Sequence, residues 1–421
     1  MSSAGILCAA LLLLQAPGPA PQKSVEPHRT PISAHLPVIL GELRLVAVGD
    51  IMMHADVKDA AAQAERGFTV LWEDVAPLLK GGDVAFANLE TPVAPKSGRP
   101  GRPYQFNAPA TLPEALRASG FSVLSTANNH AFDQGATGIK ETLDRLKEAK
   151  LATVGSGGSQ AEAEACRLVE HNGVKLAFLG FTDLFNLDLN RKATEPWVRQ
   201  LDLDPAMQAV QAARGKADAV VVSIHWGDEY SHMPTKRHRE IALKLVEAGA
   251  DLILGHHPHV LQPMEIVEAG GRTGVVAFSL GNFISNQDRM YRADLFPVAA
   301  GDNRDGAALL CTFSKVRMPD GIVKVILGEV GYEPLWTENN WRERNAGRTR
   351  EKQIRVIQVN AAIARTRKAL DDITDPVAGP KAQPDDKALR LLIVEKQEYL
   401  RTLLLRKTRV AAVVGGGFER R

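Results

Sequence analysis

The sequence predicts an α/β fold, on three observations. From residue 43 onward, short apolar or β-branched runs alternate with amphipathic helical patterns. The apolar runs finish in side chains that bind metals or form hydrogen bonds, as strands do when a site lies beyond the carboxyl ends of an open sheet. Composition is that of a folded globular chain: of 421 residues 45% are hydrophobic and 24% charged, which excludes wholesale disorder and a polytopic membrane protein. With 51 basic against 49 acidic side chains the net charge is only +2, so no nucleic-acid partner is expected.

The chain opens with an apolar run at residues 4–14 (AGILCAALLLL) and a Pro-rich stretch at residues 16–31. The run is shorter than the roughly 20 residues a bilayer span needs, so residues 1–22 are expected to be a signal segment, 23–41 a linker, and the protein exported. MSSAG lacks the usual basic residue and prolines crowd the region of Ala16–Ala20, which leaves open a longer signal or anchor. Three scattered cysteines, Cys8, Cys166 and Cys311, make neither a disulfide framework nor a Cys-rich zinc site, and the latter two are expected as buried thiols.

Residues 42–337 carry the main domain. LRLVAVGD runs into Asp50, DVAFANLE into Glu90, SVLSTANNH into Asn129 and His130, AVVVSIHWG into His225, DLILGHHPH into His257 and His259, and VVAFSLGNF into Asn282. Between them, Gly138–Lys150 and Lys236–Ala248 each place apolar residues on one helical face. Two further strands are expected between residues 306 and 336. Residues 338–421 are expected to form a helical extension with basic faces, broken by TDPVAGPKAQPDD.

Several of these residue types converge on one chemistry. Asp50, expected on a tight turn after Gly49, and Glu90 are carboxylates suited to cations, although either alone is equally a cap. In ANNHAFDQG, Asn129 offers a hard oxygen ligand, His130 an acid or base, and Asp133 a carboxylate to orient that imidazole; an Asx-turn with a helix cap is the alternative. His225 alone is either a ligand or a satisfied core residue. GHHPH is stronger: His257 and His259 are expected on an extended segment pinned by Pro258, with Gly255 permitting close backbone approach. Of 11 histidines, His130, His225, His256, His257 and His259 all fall at strand ends. Asp, Glu, Asn and His without cysteine favour Mn, Fe(II), Zn or Mg, and two such cations can activate water and stabilise charge on a phosphoryl or acyl group.

The ordered set GDIM, NLE, YQFNAP, ANNHAFDQG, HWGDEYSHMP, ILGHHPHVLQP and FSLGNF, over about residues 43–290, resembles the capsule-synthesis CapA family, also called the poly-gamma-glutamate biosynthesis (PgsA-type) family, of the calcineurin-like metallophosphatase superfamily. The resemblance implies a four-layer αββα sandwich with a cleft for two divalent metal ions. It assigns Asp50, Glu90, Asn129, His225, His257 and His259 to the metals and His130 with Asp133 to catalysis. Tyr104, Phe106, Pro109, Glu229, His256 and Asn282 are expected to line the cleft or face substrate. It implies an anionic extracellular polymer or its precursor as partner, together with a membrane synthase complex. The superfamily's Asp-x-His is here Asp50-Ile51-Met52, with His54 two residues beyond, and the bridging Asp is Glu90. This departure keeps open a non-catalytic polymer-binding subunit beside a metal-dependent hydrolase of phosphoester or amide bonds. A generic phosphodiesterase or 5'-nucleotidase fits the ligands but not HWGDEY or SLGNF.

Overall fold

The structure, a computed structural model, describes residues 36–374 and 387–419. The expected signal segment, Cys8 and all but the last residues of the expected linker lie outside them. The strands are β1 (Val38–Ile51), β2 (Val84–Leu89), β3 (Val123–Ser125), β4 (Ala152–Val154), β5 (Ser156–Gly157), β6 (Arg167–His171), β7 (Val174–Thr182), β8 (Trp197–Val198), β9 (Ala219–His225), β10 (Leu252–His256), β11 (Met264–Ala269), β12 (Arg272–Ala277), β13 (Asn282–Ile284), β14 (Asp305–Arg317), β15 (Val323–Asn339) and β16 (Ile354–Gln358). The helices are α1 (Ala55–Gln63), α2 (Ala76–Gly81), α3 (Leu112–Ala118), α4 (Gly135–Glu148), α5 (Gln160–Glu164), α6 (Leu203–Arg214), α7 (Lys236–Ala248), α8 (Trp341–Asn345), α9 (Val359–Thr374) and α10 (Lys387–Val414).

One sheet has the order β16-β15-β14-β1-β2-β3-β4, with β13 beside the end of β1, and the second runs β11-β12-β10-β9-β7-β6. Strands β1 to β4 are mutually parallel, as are β12, β10, β9 and β7. Both parallel sets are covered on two faces, which is why β2 and β9 read as unbroken apolar runs and are buried throughout. Alternation along β1 sends Leu43, Leu45 and Ala47 into the space between the sheets and Val46 and Val48 to the outer face. Between the sheets Phe86 stacks on Phe178 with ring centroids 5.9 Å apart. Outside, the first sheet packs on Val57, Leu116 and Leu146 of α1, α3 and α4, and the second on Val210, Ile241 and Leu245 of α6 and α7. The result is the four-layer αββα sandwich. Helix α7 starts at a capping box between Thr235 and His238 and stops at Gly249, whose φ of 125° few other residues adopt.

The ends differ from expectation. Strand β1 begins at Val38, inside the expected linker, and pairs with β14 from there. Strand β15 runs to Asn339 and is joined by β16, so the region past 338 supplies an edge strand as well as helices. IRVIQ carries the alternation of a strand, but its five residues sit in Arg-rich surroundings that obscure it. The helices α9 and α10 pack on the sandwich: Ile363 and Leu403 join Tyr291 and Trp336, while Val410 and Val414 enter the space between the sheets. Cys311 is a buried thiol and Cys166 is half-buried. Among the described residues no helix is long and apolar enough to cross a membrane.

Candidate metal centre

The carboxyl ends of the parallel strands of both sheets open on one edge of the sandwich. Register places Asp50 beside Asn88 and Asn282 in the first sheet, and His225 beside His256 in the second. Glycines at two of these strand ends let the segment that leads from β12 to β13 pass close by. A Cβ on Gly49 would lie 1.9 Å from the Gly281 carbonyl oxygen, and one on Gly255 equally near that of Phe278. Gly49 therefore allows a packed strand to continue into Asp50, in place of the expected tight turn.

Asp50 is fully buried and accepts hydrogen bonds from Asn88 Nδ2 at 2.8 Å and from the His257 N–H at 3.2 Å. His259 Nδ1 stands 3.4 Å from the oxygen that accepts the His257 N–H. Burial by itself would raise the Asp50 pKa, but His256 and His259 overcome it and hold the carboxyl well below the usual range. Glu90, also fully buried, lies 3.6 Å from His225 Nε2 and 3.8 Å from His259 Nε2, and neither of its carboxylate oxygens has a hydrogen-bond partner. Burial, with Asp50 and Glu229 nearby, pushes its pKa well above the usual range. His225 Nε2 meets Asn129 Oδ1 at 2.9 Å and His257 Nδ1 at 3.1 Å.

Two triplets thus converge within 4.8 Å, Asp50–Glu90–His225 and Glu90–His257–His259, sharing Glu90. A buried carboxylate without donors, set among imidazole nitrogens, is costly unless a cation joins it, and this oxygen and nitrogen set suits a borderline or hard divalent ion. The residues present therefore fit such ions. His257 and His259 are not extended as expected: their φ values of 98° and 56° are left-handed, a strained state for non-glycine residues that turns both rings inward.

His130 lies beside the centre, its Nδ1 2.8 Å from Asp133 Oδ2, which also accepts the Phe106 N–H at 2.6 Å. The Phe106 ring stands edge-on to His130. A cavity of about 460 Å³ opens here, lined by His130, His259, Met52, His54, Tyr104, Phe106, Glu229 and Tyr230. Lys58, Arg102 and Arg289 add positive charge to its wall, beside the carboxylates of Asp56 and Glu229.

Three expected positions lie elsewhere. His256 is fully buried between the sheets, 3.2 Å from Asp50 and near Phe86, so it supports Asp50 from behind and cannot touch substrate. Asn282 is buried, its Oδ1 3.2 Å from His259 Nδ1 and its amide spent on the carbonyls of His259 and Asn303, so it faces His259 rather than solvent. Pro109 is off the cavity, and its carbonyl accepts the N–H of Leu112 where α3 begins. His54 does not join the converging groups; its Nδ1 accepts the Asn286 N–H and its ring stands against Phe106.

Some neighbours of the centre escaped the sequence. Asn88, which bridges Asp50 and His225, shares the face of Glu90 two residues on, and strand periodicity could have found it. Asn186, near both Asn129 and His130, belongs to a loop without any motif.

Burial of neutral imidazoles makes the metal-free protein acid-sensitive. Burial first, then His259, brings His257 from 6.5 to about 4, and burial first, then His259 and His130, does the same for His54. Between pH 6.5 and about 4 the unfolded chain therefore binds more protons than the folded one. The stability contributed by these two imidazoles is complete above that window and declines through it on acidification, by up to about 3 kcal/mol from His54 alone, whereas the raised Glu90 carboxyl acts in the opposite sense. Chemical denaturation of the chelated wild type and of His54→Gln at pH 7 and pH 4 measures this; the same loss between the two pH values in both proteins would contradict it.

Comparison with known proteins bears on the same residues. The family described as "Bacterial capsule synthesis protein PGA_cap" matches residues 44–287. The capsule biosynthesis protein CapA of Bacillus anthracis is 35% identical over 254 residues, covering 58% of this chain and 60% of that protein. The PGA biosynthesis protein CapA of Bacillus subtilis (strain 168) is 35% identical over 243 residues, covering 57% and 62%. The chain thus spans about three fifths of the length of these relatives. A 5'-nucleotidase precursor from Thermus thermophilus is a distant structural neighbour, with a TM-score of 0.41 at 14% identity over 88% of this chain and 59% of that one, too remote to inform the site. With more than half of its length matched, including every strand end that carries the centre, the chain belongs to the bacterial capsule synthesis protein PGA_cap family.

Proposed function

We propose that this protein is an exported, metal-dependent hydrolase acting in the synthesis, transport or surface attachment of an anionic capsule polymer of the poly-gamma-glutamate type. The observation that carries this reading is Glu90: a fully buried carboxylate with no hydrogen-bond partner, shared by two triplets of converging ligands. Asp50, Glu90, Asn129, His225, His257 and His259 would hold two divalent ions. Bound there, such ions supply Lewis acidity and activate water.

The remaining steps belong to side chains of this chain. Lys58, Arg102 and Arg289 draw an anionic segment into the cavity, and Tyr104, Phe106, Glu229 and Tyr230 border it. Asp133 accepts the Nδ1–H of His130 and orients the ring, so that a second proton, taken up from solvent on Nε2, can pass to the leaving group. A membrane synthase complex is the expected partner in the cell, and the relatives' names, in capsule and PGA biosynthesis, support the pathway.

Met52 favours a second reading. It lines the cavity where the superfamily's first motif has a histidine, so a polymer-binding subunit with one ion or none is the alternative. The Mn-loaded protein, with a chelated control, is to be assayed against poly-gamma-glutamate, phosphodiesters, phosphomonoesters and free nucleotides. Metal-dependent cleavage of the polymer or its precursors is expected; rapid turnover of free nucleotides would sink the polymer assignment, and binding without cleavage would favour the subunit.

A further inference from the structure

We propose that Arg406, on α10 and far outside the matched family region, is a positioning residue for His259, so that the C-terminal helix is part of the metal centre. This rests on the metal-binding reading above. Arg406 is fully buried. Its Nε donates to Asp305 Oδ1 at 2.9 Å and its Nη2 to Asp302 Oδ1 at 2.8 Å, with a further bond to the second Asp305 oxygen. The guanidinium is stacked near Trp336 and Tyr291 at 4.8 and 5.3 Å. Arg409 of the same helix also donates to Asp302. Desolvating an arginine and two carboxylates brings little net stability, so the network is better explained by the geometry it imposes.

That geometry leads to His259 along two routes. Asp302 and Asp305 bracket Asn303, whose carbonyl accepts Asn282 Nδ2 at 2.8 Å, and Asn282 Oδ1 stands 3.2 Å from His259 Nδ1. Asp302 also meets His232 Nε2 at 2.8 Å, and His232 Nδ1 meets the carbonyl of Leu261, two residues beyond His259, at 2.8 Å. His259 has a left-handed backbone that its neighbours must impose, since a non-glycine residue does not choose it. Once Arg406 is gone, the two aspartates repel each other and both routes slacken.

The test compares wild type with Arg406→Met, Arg406→Lys and the milder His232→Gln. Mn2+ affinity is measured by calorimetry, folding by circular dichroism, and the His259 ring by 15N NMR of the metal-free protein. Arg406→Met is expected to fold and to bind Mn2+ about threefold or more weakly, less than the roughly tenfold typical of losing a partner that touches the ligand itself. Arg406→Lys, which keeps the charge without the fork, is expected to fall between. A lowered melting temperature with unchanged Mn2+ affinity would overturn the proposal, because a merely structural role moves only the first. If Arg406→Met does not fold, His232→Gln decides by the same criterion. If wild type binds no metal, the metal reading fails separately, and an unchanged His259 ring signature in the variants overturns the positioning role by itself.

Discussion

Alanine at His257 or at Asp50 is expected to empty the metal centre. Wild type, reconstituted with Mn or Zn, should carry about two ions per chain by elemental analysis, and each variant should lose most of them. His257 Nδ1 stands 3.1 Å from His225 Nε2 and its ring belongs to the triplet with Glu90 and His259, so its removal opens one of the two sites. Asp50 does more. It accepts from Asn88 and the His257 backbone and stands beside His256 and His259, so Asp50→Ala leaves several buried polar groups without an acceptor. That variant should also lose several kcal/mol of stability, as broken buried pairs do. Asp50→Asn separates the two effects, since it keeps the shape and removes the charge. Wild type without metal under every condition would sink the hydrolytic reading and leave the polymer-binding subunit.

Substitution of His130 by alanine is expected to do the opposite: metal content stays and turnover falls by about 10²–10⁴-fold. His130 lies outside both converging triplets yet lines the cavity, so it is placed to act on substrate rather than on the ions. Asp133→Asn should also lower turnover with the fold intact. Because the Phe106 N–H and His130 Nδ1 share one oxygen of Asp133, an asparagine oxygen in that place keeps both contacts and removes only the charge that balances a doubly protonated imidazole during proton transfer. Steady-state rates and elemental analysis on the same preparations check both. Loss of metal from His130→Ala in step with activity would make His130 a ligand instead.

Much of this centre was legible in the chain because strand chemistry is local. A buried parallel strand must be apolar throughout, so a run such as AVVVSIH ending in a histidine announces both the strand and the position of its last side chain. The helix at Lys236–Ala248 was equally legible from its apolar face. The edge strand β16 was not, since five residues carry too short a pattern to outweigh their charged surroundings. His256 illustrates a further limit: its neighbour His257 leaves the strand and turns toward the cleft, whereas His256 stays in the last pair of the ladder and faces inward. Alternation separates two such residues, but only the sheet opposite decides which side is the cleft.

By itself the sequence determined the α/β class, the strand ends that carry Asp50, Glu90, Asn129, His130, His225, His257 and His259, and the family. Those depend on local periodicity and on side chains next to one another in the chain. Only the tertiary structure decided that Glu90 stands without a donor where two triplets of side chains converge, that His54 lies outside them, and that Arg406 is tied through Asp302 to the loop behind His259. Such facts require residues far apart in sequence to meet in a space closed to water, where a polar group without a partner is costly, and no pattern along the chain records that meeting.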